Sequence, residues 1–174
     1  MKCLVLSAWC LVLGTCCLST GGCATNYSWR SSVPADARTV TVPTFRNESN
    51  VSEVGALASR QLLREFQREG TFKIRSAGDA AIEIQGAVKS VSPKLTAVNR
   101  RAGGRVAAYD LSATAEISVI DKRRGKVLVD NRTYKANATF TAGQDQTTAL
   151  RDASGRLMDD LARQVVDDIL NLKW

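Results

Sequence analysis

The chain has 174 residues with 24 basic and 17 acidic side chains, a formal charge of +7, and a hydrophobic fraction of 44%. That length holds one domain around a single core, and no internal apolar run is long enough to span a bilayer. The sequence contains no histidine, which removes the commonest general base and the commonest metal ligand.

The first 22 residues read as an export signal. Lys2 is a short basic start, Cys3 to Leu18 is almost unbroken in its apolar character, and Ser19-Thr20-Gly21-Gly22 supplies small residues for a peptidase. Cys23 follows directly, in the arrangement of a bacterial lipobox, so it is the expected lipidation site. The other reading is ordinary cleavage that leaves a free thiol. Cys3, Cys10, Cys16, Cys17 and Cys23 are the five cysteines, so nothing after Cys23 can pair with it and the mature chain holds no internal disulfide. Ala24 and Thr25 follow without an aspartate, which by analogy with lipoprotein sorting predicts the cell outer membrane, with the protein facing the periplasm. Removal of residues 1–22 takes away Lys2 and leaves 23 basic against 17 acidic residues, a formal +6. An anionic partner is expected, and export argues against nucleic acid.

Residues 23–37 form a polar tether and residues 38–174 a single domain. Arg38 to Pro43 is the first strand, ended by Pro43. Phe45 to Ser49 is a polar loop, and Asn50 and Glu53 have the spacing of a capping box. Glu53 to Glu69 is a helix with Val54, Leu57, Ala58, Leu62 and Phe66 in one stripe and Gly70 as its stop. Phe72-Lys73-Ile74 leads through a kink into the second strand, Ile82 to Val88. Ser92 to Arg105 is a loop.

A long hairpin follows from Val106 to Phe140. Tyr109, Leu111, Ala113, Ala115, Ile117 and Val119 alternate with polar residues, the mark of a strand with one buried face. Asp121 to Lys126 is the charged turn. Leu128, Tyr134, Ala136, Ala138 and Phe140 carry the return strand, with a bulge near Asp130-Asn131. Gly143 to Thr147 is a second loop, and Thr148 to Leu170 a helix with Leu150, Leu157, Leu161, Val165 and Ile169 on one face. The order β-α-β-β-β-α predicts an α+β fold: a two-layer α/β sandwich, with two helices packed on one face of a four-stranded mixed sheet.

No P-loop, dinucleotide turn, Cys/His cluster or nucleophile elbow is present, so no enzyme, metal or cofactor is expected. The carboxylate pairs Asp159-Asp160 and Asp167-Asp168 read as a solvated helix face. Two basic clusters remain. The strand order sets the start of strand one and the Lys122–Lys126 turn at one end of the sheet, and the 92–105 and 141–148 loops at the other. Arg100, Arg101 and Arg105, beside Gly103-Gly104, are the candidate phosphate clamp. Lys122, Arg123, Arg124 and Lys126 form a second patch that could meet phospholipid headgroups or simply be solvated.

The chain resembles the LPS-assembly lipoproteins, the LptE family. The resemblance lies in the lipobox cysteine and polar tether, in Arg38-Thr39-Val40-Thr41-Val42-Pro43-Thr44-Phe45-Arg46-Asn47, and in Asp79-Ala80-Ala81-Ile82-Glu83-Ile84-Gln85-Gly86-Ala87-Val88. It continues through Tyr109-Asp110-Leu111, Gly125-Lys126-Val127-Leu128 and the last helix. It implies a non-enzymatic plug and chaperone for the outer-membrane β-barrel LptD, which inserts lipopolysaccharide into the outer leaflet. A basic residue between strands two and three, matched here by Arg100 or Arg101, is implied to contact lipopolysaccharide through the phosphates of lipid A. The loop before the last helix, where the family can place a lysine, reads Gly143-Gln144-Asp145-Gln146. The competing expectation is a periplasmic adaptor or pilotin-like lipoprotein of a secretion complex, which would bind a partner peptide instead of lipid.

Overall fold

The strict alternation on Tyr109 to Val119 builds the centre of the molecule. In the structure, a computed structural model that describes residues 33–99, 106–142 and 145–174, a 3-10 turn at Ala35–Ala37 precedes β1 (Thr39–Thr41) and β2 (Arg46–Asn47). Helix α1 (Val54–Glu69), β3 (Lys73–Ile74), β4 (Ile82–Asn99), β5 (Val106–Asp121), β6 (Lys126–Ala142) and helix α2 (Gln146–Leu170) follow. The signal segment, Cys23 and most of the tether, together with Arg100, Arg101, Arg105, Gly143 and Gln144, lie outside the described residues.

The sheet order is β3-β1-β4-β5-β6, with β2 also paired to β4. β1 runs parallel to β3 and β4, while β4, β5 and β6 are antiparallel in turn. Leu111, Ala113, Ala115, Ile117 and Val119 of β5 are buried, and so are Ile82, Ile84 and Val88 of β4. Both helices cover this face. Val54, Ala58, Leu62 and Phe66 of α1 and Leu157, Leu161, Val165 and Ile169 of α2 close the core. Each large aliphatic side chain fully buried there contributes about 1.5–3 kcal/mol. At the end near β3, Phe66, Phe72 and Trp174 pack with ring centroids 5.3 and 6.1 Å apart.

The return strand bulges where the sequence predicts. Ile117 pairs with Arg132 and Val119 with Val129, so Asp130 and Asn131 together oppose Ser118. Asn131 takes a positive φ of 39° there. A second shift at Leu128 brings Val129 into the core and leaves Val127 half exposed.

The sheet and the start of α1 depart from the sequence reading at four places. The sheet has five strands in its main path plus β2, not four, because Lys73–Ile74 is a strand in its own right on the far side of β1. β4 continues through Ser92 to Asn99, which the sequence reads as loop. Its outer edge past Val88 carries no described strand, so Pro93 costs no ladder bond there. The expected polar loop after Pro43 hides a core residue. Phe45 is buried, with its ring over Gly86, where a Cβ would sit only 2.7 Å from the ring. Finally, Glu53 adopts φ 63° and caps nothing with its side chain, so the Asn50/Glu53 capping box does not form. The start of α1 is held instead from inside. Gly55 approaches the Phe45 carbonyl so closely that a Cβ would lie at 2.4 Å, and the buried Ser59 hydroxyl accepts from the Phe45 N–H at 2.8 Å.

Candidate functional site

The ends of the sheet differ in charge and in cover. At the end where β1 begins, Ile82 pairs with Asp121, so the Lys122–Gly125 turn sits beside the start of β1. This turn is built around a buried anion. Asp121 is 1% exposed, accepts from the Arg123 and Arg124 backbone N–H groups at 3.0 and 3.3 Å, and pairs with the Arg123 guanidinium at 3.0 Å. Burial raises the Asp121 pKa, but the Arg123 side chain and the two N–H groups outweigh it and hold the carboxyl below its ordinary value. Arg123 also pairs with Asp36, just ahead of β1. Lys122 pairs with Glu83 at 3.2 Å and donates to the Ala77 carbonyl at 2.6 Å. The Gln85 amide and Lys122 keep Glu83 ionised, with its pKa lowered against a smaller effect of burial. Arg124 lies 3.9 Å from Asp121. Of the second basic patch, only Lys126 makes no ion pair with a described residue, so most of its charge is spent inside the chain.

At the opposite end the sheet outruns its helices. α1 begins only at the level of β2, which pairs with Ala87 and Val88, while β4 runs eleven residues farther. Residues 92–97 are exposed on both faces, and Leu95 is 51% exposed. Beside it Tyr109 stacks on Phe140, with centroids 5.1 Å apart and planes at 13°. α2 partly covers this row, capped by Asp145, whose carboxylate accepts from Thr148 N–H at 3.0 Å. That cap starts the helix two residues before the sequence reading. Asn99 pairs with Val106, so the segment bearing Arg100, Arg101 and Arg105 joins β4 to β5 at this end of the sheet. Those three side chains are not among the described residues.

The helix-free face of the sheet is polar. A concavity of about 440 Å³ on it is bounded by Pro43, Arg46, Gln85, Glu116, Ser118 and Asn131. Lys89 bulges from β4 and sits between Glu48 and Glu116 at 3.0 and 3.1 Å. The Glu48 carboxylate, followed by Glu116, raises the Lys89 pKa. Sequence reading missed this trio because its members are 41 and 27 positions apart. It also missed that Asp168 is tied down: Tyr134 donates to it at 2.5 Å and Arg132 pairs with it. Burial and this hydrogen bond push the Tyr134 pKa well up. Asp159 pairs with Arg163 at 2.5 Å and Asp160 accepts from Gln164 at 3.0 Å, so these half-buried carboxylates are tied to residues one turn on along their own helix. Among the described residues no group of three or more potential ligands could hold a metal ion, and no helix is long and apolar enough to cross a membrane.

Comparison with known proteins gives this architecture its relatives. No curated protein matches the sequence. Among solved structures, the hypothetical protein CT253 from Chlamydia trachomatis is similar, with a TM-score of 0.54 and 13% identity, over 78% of this chain and 96% of that one. A minor lipoprotein from Acinetobacter baumannii matches with a TM-score of 0.46 and 16% identity, over 77% and 93%. Protein XCC0632 from Xanthomonas campestris matches with a TM-score of 0.48 and 12% identity, over 79% and 88%. At these identities the CT253 likeness shows a shared fold and nothing finer. The model of the LptE family, lipopolysaccharide-assembly, matches residues 37–170, from the 3-10 turn to the end of α2, and the chain belongs to that family.

Proposed function

We propose that the protein is a lipid-anchored plug and chaperone of the outer-membrane LptD barrel, with no catalytic role of its own. In this reading residues 1–22 are removed, Cys23 carries the lipid, residues 23–37 are the tether, and residues 38–174 work in the periplasm and inside the barrel. The observation that carries the proposal is the family match over residues 37–170. The two ends of the sheet support a division of labour. The turn at the tether end neutralises Lys122, Arg123 and Arg124 with Glu83, Asp121 and Asp36, which suits structure more than headgroup contact. The opposite end bears the segment with Arg100, Arg101 and Arg105, and lipid A phosphates are the ligand that their chemistry suits. Guanidinium groups give charge-assisted and bidentate contacts to phosphate.

The test is purification of the tagged protein from the outer membrane, beside a Cys23→Ser variant. The wild type brings down a large β-barrel and fractionates with the outer membrane. The variant stays unprocessed or is released to the periplasm. Normal acylation and fractionation of the variant would remove the anchor. Recovery of a secretin or another envelope complex in place of the barrel would replace the plug with an adaptor.

A further inference from the structure

The sheet treats its two long edges differently. Past Val88, β4 is paired only with β5 among the described residues, and there it carries Pro93 and register shifts at Lys89 and Thr96. Proline and bulges keep a further strand from adding to an edge. β6 is the opposite edge. From Arg132 to Ala142 it pairs with β5 at every residue, with neither proline nor bulge.

The direction of its free backbone groups is fixed by two side chains. The Thr96 hydroxyl donates to the Ala108 carbonyl at 3.0 Å, so even residues of β5 turn toward β4 and odd ones toward β6. Their β6 partners are the even residues, such as Tyr109 with Phe140 and Ala113 with Ala136. The odd residues Thr133, Lys135, Asn137, Thr139 and Thr141 therefore turn N–H and C=O outward. Arg156 of α2 donates to the Thr139 carbonyl at 3.4 Å from that side. Two cations flank this row. Lys135 points from the helix-free face and Arg156 reaches from the helix side; both are exposed, and neither forms an ion pair with a described residue.

We propose that the Thr133–Thr141 edge of β6 receives an extended strand of a protein partner that carries acidic side chains on both of its faces. The backbone supplies a ladder for any extended chain. Lys135 and Arg156 select an acidic one, because neighbouring residues of an added strand face opposite sides of the sheet. A second copy fits less well, since it would bring duplicate cations together in a chain already at +7. This inference goes beyond the barrel reading and does not depend on it.

The probe is a capped nine-residue peptide of alternating valine and threonine with two adjacent glutamates at its centre. Its twin has two lysines in their place. Amide hydrogen exchange of the full protein, followed by NMR during titration, reads the edge directly. The acidic peptide is expected to slow exchange at residues 133, 135, 137, 139 and 141, while the even residues are already slow. The lysine twin is expected to bind roughly tenfold more weakly or worse. Asn137→Pro removes an outward N–H that β5 does not use, so it should abolish peptide binding with the melting temperature close to wild type. If that variant unfolds, the wild-type exchange pattern decides alone. Unchanged exchange at the odd residues under saturating peptide, or equal binding of the twin, overturns the proposal. So does self-association of the peptide-free protein that Asn137→Pro removes, which would assign the edge to a second copy.

Discussion

Asp121 is a carboxylate 1% exposed, at the head of a turn that holds three cations. Its partners lower its pKa, so the folded state binds its proton more weakly than the unfolded chain does. The stabilisation is therefore complete above an unfolded value near 4 and is lost as the pH falls through the lower, folded value. Asp121→Ala should lower stability at neutral pH by about 1–3 kcal/mol, the cost of leaving its donors without an acceptor. The difference from wild type should shrink in acid, which urea unfolding at pH 7 and pH 3 measures. Gly86 is a second residue whose identity is dictated by a neighbour. The Phe45 ring lies where its Cβ would be, so Gly86→Ala should cost about 1–3 kcal/mol through overpacking. The same change in a Phe45→Leu background should cost clearly less, because the two sites share one volume. Additive effects in that double-mutant cycle would mean that the ring does not sit over Gly86.

Among the elements, those with a strict one-face period were legible in the sequence. β5 alternates without a break, and α1 keeps its stripe and its Gly70 stop, whose N–H bonds the Phe66 carbonyl at 3.1 Å. β3 has only two residues, too few for a period, and the parallel pairing that makes it a strand comes from β1, over thirty positions away. β4 past Ser92 was illegible for a different reason. Both of its faces are exposed there, so its sequence does not alternate, and Pro93 reads as a loop unless the strand is known to lie at an edge. Phe45 sits alone among polar neighbours, and no local signal marks it as core. Helix α2 carries a visible inefficiency at Gly155, where an added Cβ meets nothing within 4 Å. Gly155→Ala should raise stability by about 0.5–1 kcal/mol, from helix propensity and a less flexible unfolded chain. Thermal unfolding tests this, and a loss of stability would show that the position needs glycine for packing or bending.

For the described domain, the fold places a charge-neutralised turn beside the start of β1 and, at the far end, a blade of three strands that α2 covers only in part. Reversal of Arg123 cannot serve as a neutral control, because it would leave buried Asp121 without its guanidinium partner. Lys126, which makes no ion pair with a described residue, can. The most direct test of the account is therefore Arg100→Glu/Arg101→Glu beside Lys126→Glu, with barrel co-purification and lipopolysaccharide binding measured on each. Charge-assisted hydrogen bonds contribute about 1.5–3 kcal/mol each, so the double reversal should lose most lipopolysaccharide affinity and leave the barrel complex intact, while Lys126→Glu keeps both. Loss of lipopolysaccharide binding in Lys126→Glu alone, or undiminished binding in the arginine variant, would contradict it.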